Sequence, residues 1–245
     1  RYRSWLRCPR HHHYAYKLGY RAIKSSAAIV FGRLFHKALE AWWIRWMSGD
    51  ATASLATSNA LDELGRSVAA LSRVGVFVDS YVVVQLEELV KGYSSAWIDQ
   101  MLECKVLAVE AQFEGRTRIK PWSIAGKIDA IVKRKGRVYL VEHKTTGGDV
   151  APGSSYWARL RMDPQISFYH YGGAILGHRV EGCIYDVIVK PSLNPAKATP
   201  PEKRKYRKDG QPYKGQRETD ETLDEYRSRL AAHIKEHPES YYKHA

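Results

Sequence analysis

The hydrophobic period changes near residue 102, and that change constrains the fold more than any other feature of the chain. Over about 28–47, Val30, Leu34, Ala38 and Trp42 recur at helical spacing, and Gly49 closes the run. Residues of about 51–101 continue as two or three helices with a loop near Val74 and Gly75, and they carry no recognisable chemistry. From Lys105 the pattern alternates instead, with Leu107, Val109, Ala111 and Phe113 on one side. Two more strands are predicted over 122–132 and 137–144, with Gly136 in the turn between them. A helix over 163–176 has Pro164 in its first turn and Gly177 after it, and 183–189 reads as a fourth strand. The order helix, three strands, helix, strand predicts an α/β fold. Its mixed central sheet of about four or five strands is flanked by helices, with an additional helical layer over about 51–101. A single domain over 1–245 is expected, with a mobile basic loop over about 191–217 and a charged helix over 219–236.

Composition narrows the partners. Lys and Arg number 39 against 26 Asp and Glu, a net charge of +13, which favours a polyanion such as nucleic acid, although solubility alone can require such a surplus. Hydrophobic residues at 44% exclude a disordered chain. Three scattered cysteines, Cys8, Cys104 and Cys183, make no disulfide framework, so a reducing compartment is expected. No stretch is long and apolar enough to span a membrane.

Chemistry concentrates in two predicted strands. Val138, Leu140, Glu142 and Lys144 share a face, and a carboxylate and a lysine there are costly to bury without a partner. Asp129 lies on the preceding strand, and neighbouring strands are roughly 4.8 Å apart, so the two carboxylates can converge on one hard cation, Mg²⁺ or Mn²⁺. Such a cation polarises phosphoryl oxygens, and Lys144 would orient water or stabilise phosphate charge. A surface Glu–Lys pair beside an unrelated Asp is the plain alternative. Glu110, on the strand before, reads equally as an outer carboxylate or as part of a solvated face. Lys133, Arg134, Lys135 and Arg137 surround the hairpin. The densest basic run is Lys203, Arg204, Lys205, Arg207 and Lys208, interleaved with Tyr206 and Tyr213. Cations neutralise phosphates and aromatic faces stack on unpaired bases, whereas a solvated loop explains the same letters. The seven Trp lie mostly in helical stretches and read as core.

Five segments, in order, resemble the PD-(D/E)xK nuclease superfamily and within it the RecB-like exonucleases of phages and recombination systems. Ser4-Trp5-Leu6-Arg7-Cys8-Pro9 with Tyr14 is similar to the group's S-x-L-x-x-C-P…Y signature. Gly32 to Glu40, with His36 inside, is similar to G-x-x-x-H-x-x-L-E. Gly126–Asp129 resembles G-x-x-D, Glu142–Thr145 resembles E-x-K-T, and Gln165–Tyr169 resembles Q-x-x-x-Y. The resemblance implies a restriction-endonuclease-like core and a DNA exonuclease of recombination, repair or phage DNA processing, in a bacterial or phage-encoded cytoplasmic protein. It implies His36, Asp129, Glu142 and the His143 carbonyl as metal ligands, with Lys144 catalytic. Glu40 is then placed to orient His36, and Gln165 and Tyr169 would help bind substrate. Read without the family, His36 also suits a satisfied core histidine and Tyr169 a core-facing tyrosine.

Some relatives hold an iron–sulfur cluster with one N-terminal and three C-terminal cysteines. Here only Cys8 has a counterpart, so no cluster is expected, and Trp5, Leu6 and Tyr14 are expected to hold the N-terminal segment by packing. His11, His12 and His13 read as exposed residues of a DNA-facing segment or as adventitious metal binders. No phosphate loop of a helicase is present. The competing readings are an endonuclease on the same site, a catalytically silent DNA-binding module, and an RNA-processing protein. A recombination partner is a further expectation of the resemblance.

Overall fold

Lys135 and Gly136 both have positive φ, 49° and 82°, the two-residue turn that matches the right-handed twist of a hairpin. That turn joins the two central strands of the computed structural model, which describes residues 2–20, 26–116, 123–211, 213 and 215–245. The chain divides into two compact units, Arg1–Phe31 and Gly32–Ala245.

In the first unit, α1 spans Tyr2–Arg7 and α2 spans Pro9–His12, followed by a wider helical turn over His13–Lys17. Cys8 caps α2, its Sγ accepting from the His11 backbone N–H at 3.4 Å, and Pro9 occupies the first helical position. Ser4 Oγ bonds His11 Nδ1 at 2.9 Å, and Arg10 Nε donates to Tyr14 OH at 3.3 Å. Local bonds of this kind order the segment. Trp5, Leu6 and Tyr14, expected to anchor it by packing, are exposed.

The long helix α3 covers Ala27–Met47, α4 covers Ala53–Arg73 and α5 covers Ser80–Leu102. Thr52 and Asp79 cap the latter two through side-chain oxygens that accept from Leu55 N and Tyr81 N. The strands are β1 (Cys104–Arg116), β2 (Ser123–Arg134) and β3 (Arg137–Thr146). Two crossover helices follow, α6 (Ser155–Arg161) and α7 (Pro164–Ile175), then β4 (Val180–Val189), α8 (Leu223–Glu236) and β5 (Tyr242–His244). The sheet runs β1-β2-β3-β4-β5, with β3 and β4 parallel and the other pairs antiparallel, so it is mixed as predicted. The predicted strand start at Trp122 lies outside the described residues. Among those residues no helix is long and apolar enough to cross a membrane.

Each face of the sheet has its own cover. On one, Phe113, Ile128, Ile131 and Leu140 form a buried cluster joined by Leu107, Ala111 and Tyr169. A register shift between Val106 and Ala108 brings Ala108 onto the same cluster, so the alternation read from the sequence is broken there. Phe113 dictates two glycines: a Cβ on Gly126 would stand 2.6 Å from its ring, and one on Gly172 of α7 would also collide with it. Elsewhere Leu34, Phe35, Trp42 and Trp43 of α3 are fully buried with Leu86, Tyr93 and Trp97 of α5. The predicted helical layer is thus α4 and α5, and α5 belongs to the core.

The basic segment is not a loose tether. Thr199 N donates to Arg217 O and Tyr213 N to Lys205 O, which folds the segment back on itself. Glu221, buried, accepts from Arg229 Nε and Nη2 at 2.7 and 2.6 Å and ties the segment's end to α8. A Thr222–Glu225 capping box starts that helix.

Candidate active site

Beyond the Ala130–Val141 pair, β2 and β3 cease to pair, and side chains take over the backbone groups released. Asp129 Oδ2 accepts from the His143 N–H at 2.9 Å. Glu142, one residue back on β3, is buried, and its Oε1 accepts from Lys144 Nζ. Lys144 Nζ also donates to Gln165 Oε1 at 3.1 Å, and Gln165 Nε2 donates to Tyr169 OH at 2.6 Å. Asp163 caps α7 by accepting from Gln165 N, which fixes where that glutamine begins. His36, from α3, brings Nδ1 to 4.0 Å from Asp129 Oδ2. A Cβ on Gly32 would stand 3.1 Å from Thr145 Oγ1, so glycine lets this turn of α3 lie close to β3. Four segments distant in sequence therefore meet where β2 and β3 part.

Electrostatics marks the same place. Burial, reinforced by the neighbouring Asp129 charge, raises the Glu142 pKa against the opposing pull of Lys144. Burial lowers that of His36, and Asp129 only partly offsets this, so its imidazole is neutral near pH 7. Glu142 Oε2 is buried without a hydrogen-bond partner. An unpartnered carboxylate oxygen beside a second carboxylate is costly, and a cation is the missing complement. Among the described residues no three His, Cys, Asp or Glu side chains are already drawn into a cage. The donors present are nevertheless oxygen-rich with one neutral imidazole, and the orphaned Oε2 fits a hard divalent ion.

Behind β3 lies a feature that the sequence did not announce. Asp186 of β4 is fully buried, paired in register with His143. Its Oδ2 accepts from Tyr93 OH at 2.8 Å and meets His143 Nδ1 at 2.7 Å. Its Oδ1 accepts from Trp97 Nε1 at 3.1 Å and stands 3.4 Å from His244 Nε2. Trp43 Nε1 in turn donates to Tyr93 OH at 3.0 Å. Burial alone would push the Asp186 pKa up, but the bond to His143 and the nearby His244 override it and hold it well below the carboxylate range. His143 is driven the opposite way, burial lowering its pKa and Asp186 more than restoring it. The residue between Glu142 and Lys144 is thereby anchored by a buried anion.

The remaining expected residues have partners of their own. Glu40 pairs with Lys37 Nζ at 2.6 Å rather than orienting His36. Glu110, at positive φ (52°), forms an ion pair with Lys127, so it is engaged beside the site rather than solvated. Arg204 spends its guanidinium on Thr199 O and Glu218 O at 2.8 and 2.9 Å. Lys203 and Lys205 contribute a backbone carbonyl and a backbone N–H to Gln216. No described contact joins these three residues to Glu142 or Asp129.

No curated protein gives a significant match. Among solved structures, one titled "Crystal structure of SSO0001" is 18% identical, with 72% of this chain and 69% of that one covered and a TM-score of 0.29. Protein VC1899 from Vibrio cholerae is 11% identical over 71% of this chain and 50% of that one, with a TM-score of 0.24. Scores at this level carry no argument. A family model does: that of the PD-(D/E)XK nuclease superfamily matches residues 1–243, and its members are nucleases that generally use divalent metals such as Mg²⁺. With a mixed sheet flanked by helices and Asp129, Glu142 and Lys144 where β2 and β3 part, the chain belongs to the PD-(D/E)XK nuclease superfamily.

Proposed function

We propose that this protein is a divalent-metal-dependent DNA exonuclease of the RecB-like kind, working in recombination, repair or phage DNA processing. The observation that carries the reading is the buried, unpartnered Glu142 Oε2 beside Asp129 and Lys144, with His36 against Asp129. Asp129, Glu142, His36 and the His143 carbonyl would hold one Mg²⁺ or Mn²⁺. When bound, the cation polarises a phosphoryl oxygen and eases loss of a proton from an attacking water. Lys144, shared between Glu142 and Gln165, is placed to stabilise charge developing on the phosphate. Tyr169 and Gln165 hold that lysine's acceptor in place through their own bond. The surplus of 39 basic over 26 acidic residues suits a DNA backbone. The exonuclease form rests on the five ordered motifs.

End-labelled linear and covalently closed circular DNA, incubated with Mg²⁺, Mn²⁺ or EDTA beside Asp129→Ala, test the reading. Loss of linear DNA only, dependent on metal and on Asp129, is expected. Cutting of the circle would make it an endonuclease. Binding without cleavage in any metal would sink the enzymatic reading.

A further inference from the structure

The sheet continues past Glu142 into a cleft that the catalytic chemistry leaves unused. About 660 Å³ of space, within the usual range for ligand sites, lies between α6, β4 and β5. Cys183 and Tyr185 of β4, Trp157, Leu160 and Arg161 of α6, and Lys243 of β5 line it. In the parallel register Glu142 pairs with Tyr185 and Leu140 with Cys183. Aligned neighbours in a parallel pair share a face, so Tyr185 lines the cleft from the strand next to Glu142 and on the same side of the sheet. Burial, and then the Glu142 charge, push the Cys183 thiol up to about 12.

The lining has a consistent chemistry. Tyr185 OH donates to Leu160 O and Trp157 Nε1 to Val150 O, both at 2.9 Å. Their polar atoms are thereby satisfied by backbone, and the surface left to a ligand is aromatic ring. Arg161 and Lys243 make no side-chain hydrogen bond or ion pair among the described residues, so two cations stand at an aromatic cleft that His244 and Ala245 also line. Rings for bases with cations for phosphates match a nucleotide strand, and bases can reach rings only when unpaired.

We propose that this cleft is a subsite for unpaired nucleotides of the DNA strand being cut, next to the scissile phosphate. It rests on the nuclease reading and extends it, since it makes a single-stranded or frayed end the preferred substrate.

The test is binding in EDTA, where no cleavage can occur, with a fluorescein-labelled mixed-sequence ten-nucleotide single strand and the blunt duplex of the same sequence. Arg161→Gln with Lys243→Gln is expected to weaken single-strand binding about tenfold at 0.1 M salt and to flatten the log–log salt slope by about 1.4, roughly 0.7 for each phosphate no longer neutralised. The blunt duplex should change less than about threefold on the same grounds. Unchanged single-strand affinity and slope would overturn the proposal, as would an equal loss on duplex. The unmodified protein gives a second measurement: photo-crosslinking to a 5-iodouracil strand should fall on Trp157 or Tyr185, and crosslinks confined elsewhere would overturn the assignment. Cleavage in Mg²⁺ with its Asp129→Ala control is scored separately. A protein that cuts without cleft-dependent binding loses the subsite and keeps the nuclease, and cleft-dependent binding without cutting does the reverse.

Discussion

Replacing Asp186 with asparagine keeps the shape of the group beneath β3 and removes its charge. In the native chain the carboxylate receives Tyr93 OH, Trp97 Nε1 and His143 Nδ1, with His244 close by. An asparagine carbonyl placed at the Oδ2 position still accepts from Tyr93 and His143, but its amide group then faces Trp97 N–H. That leaves one buried donor unsatisfied, at about 1–3 kcal/mol. The two surviving bonds lose their charge assistance, roughly another 1–2 kcal/mol. The sum agrees with the roughly 3–5 kcal/mol for breaking a buried ion pair, and release of the His143 proton favours its lower end. At about 2–4 °C per kcal/mol for a chain of this size, Asp186→Asn should melt roughly 6–12 °C below wild type. Circular dichroism in EDTA at neutral pH measures it. Because His143 carries the N–H held by Asp129 and lies between Glu142 and Lys144, Mn²⁺ affinity by calorimetry should also fall, by about ten- to a hundredfold. A melting change below about 2 °C with unchanged Mn²⁺ affinity would show that the buried anion anchors nothing.

Three further outcomes are expected. Glu142→Gln, which keeps an acceptor for Lys144 and removes the orphaned charge, should stabilise the metal-free protein by about 1 kcal/mol while abolishing the rise in Tm with Mn²⁺; a loss of metal-free stability would contradict the site's reading. Glu221 is held at about 2 by its bonds to Arg229, so its stabilisation is present above pH 4.5 and disappears as pH falls toward 2. Glu221→Gln should therefore melt below wild type at pH 6, with the gap closing through that acid window; a gap independent of pH would refute the assignment. Gly126→Ala forces a Cβ against Phe113 and should cost about 1–3 kcal/mol in urea unfolding, with Phe113→Leu in the same chain recovering part of it.

Much of the site was legible because its signals are local. A strand period sets Glu142 and Lys144 on one face and a helical period sets Gln165 beside Tyr169, and each pair is hydrogen-bonded, whereas the bond that joins the two pairs, Lys144 to Gln165, followed from neither period. The hairpin at Gly136 and the helix begun by Pro164 were equally readable, since each needs a residue with a special backbone. Asp186 was not readable. It is one acid in an apolar strand, and its donors Tyr93 and Trp97 lie about ninety positions away on a helix whose own pattern shows only burial. The seven-residue α6 and three-residue β5 are too short for periodicity to register, so the cleft they help to line had no signature either. Glu40 and Arg204 were misplaced for a common reason: composition locates charges, but only the fold decides which partner each one takes.

The reach of α5 into the sheet limits how far this chain can be trimmed. A reduced nuclease assembled from the motif-bearing segments alone would delete residues 51–102, the stretch without recognisable chemistry. It would keep Asp186 and lose both Tyr93 and Trp97, leaving a buried anion with two of its donors gone. The five motifs are thus portable as letters but not as a machine, and any transplant of them needs a replacement for that aromatic helix.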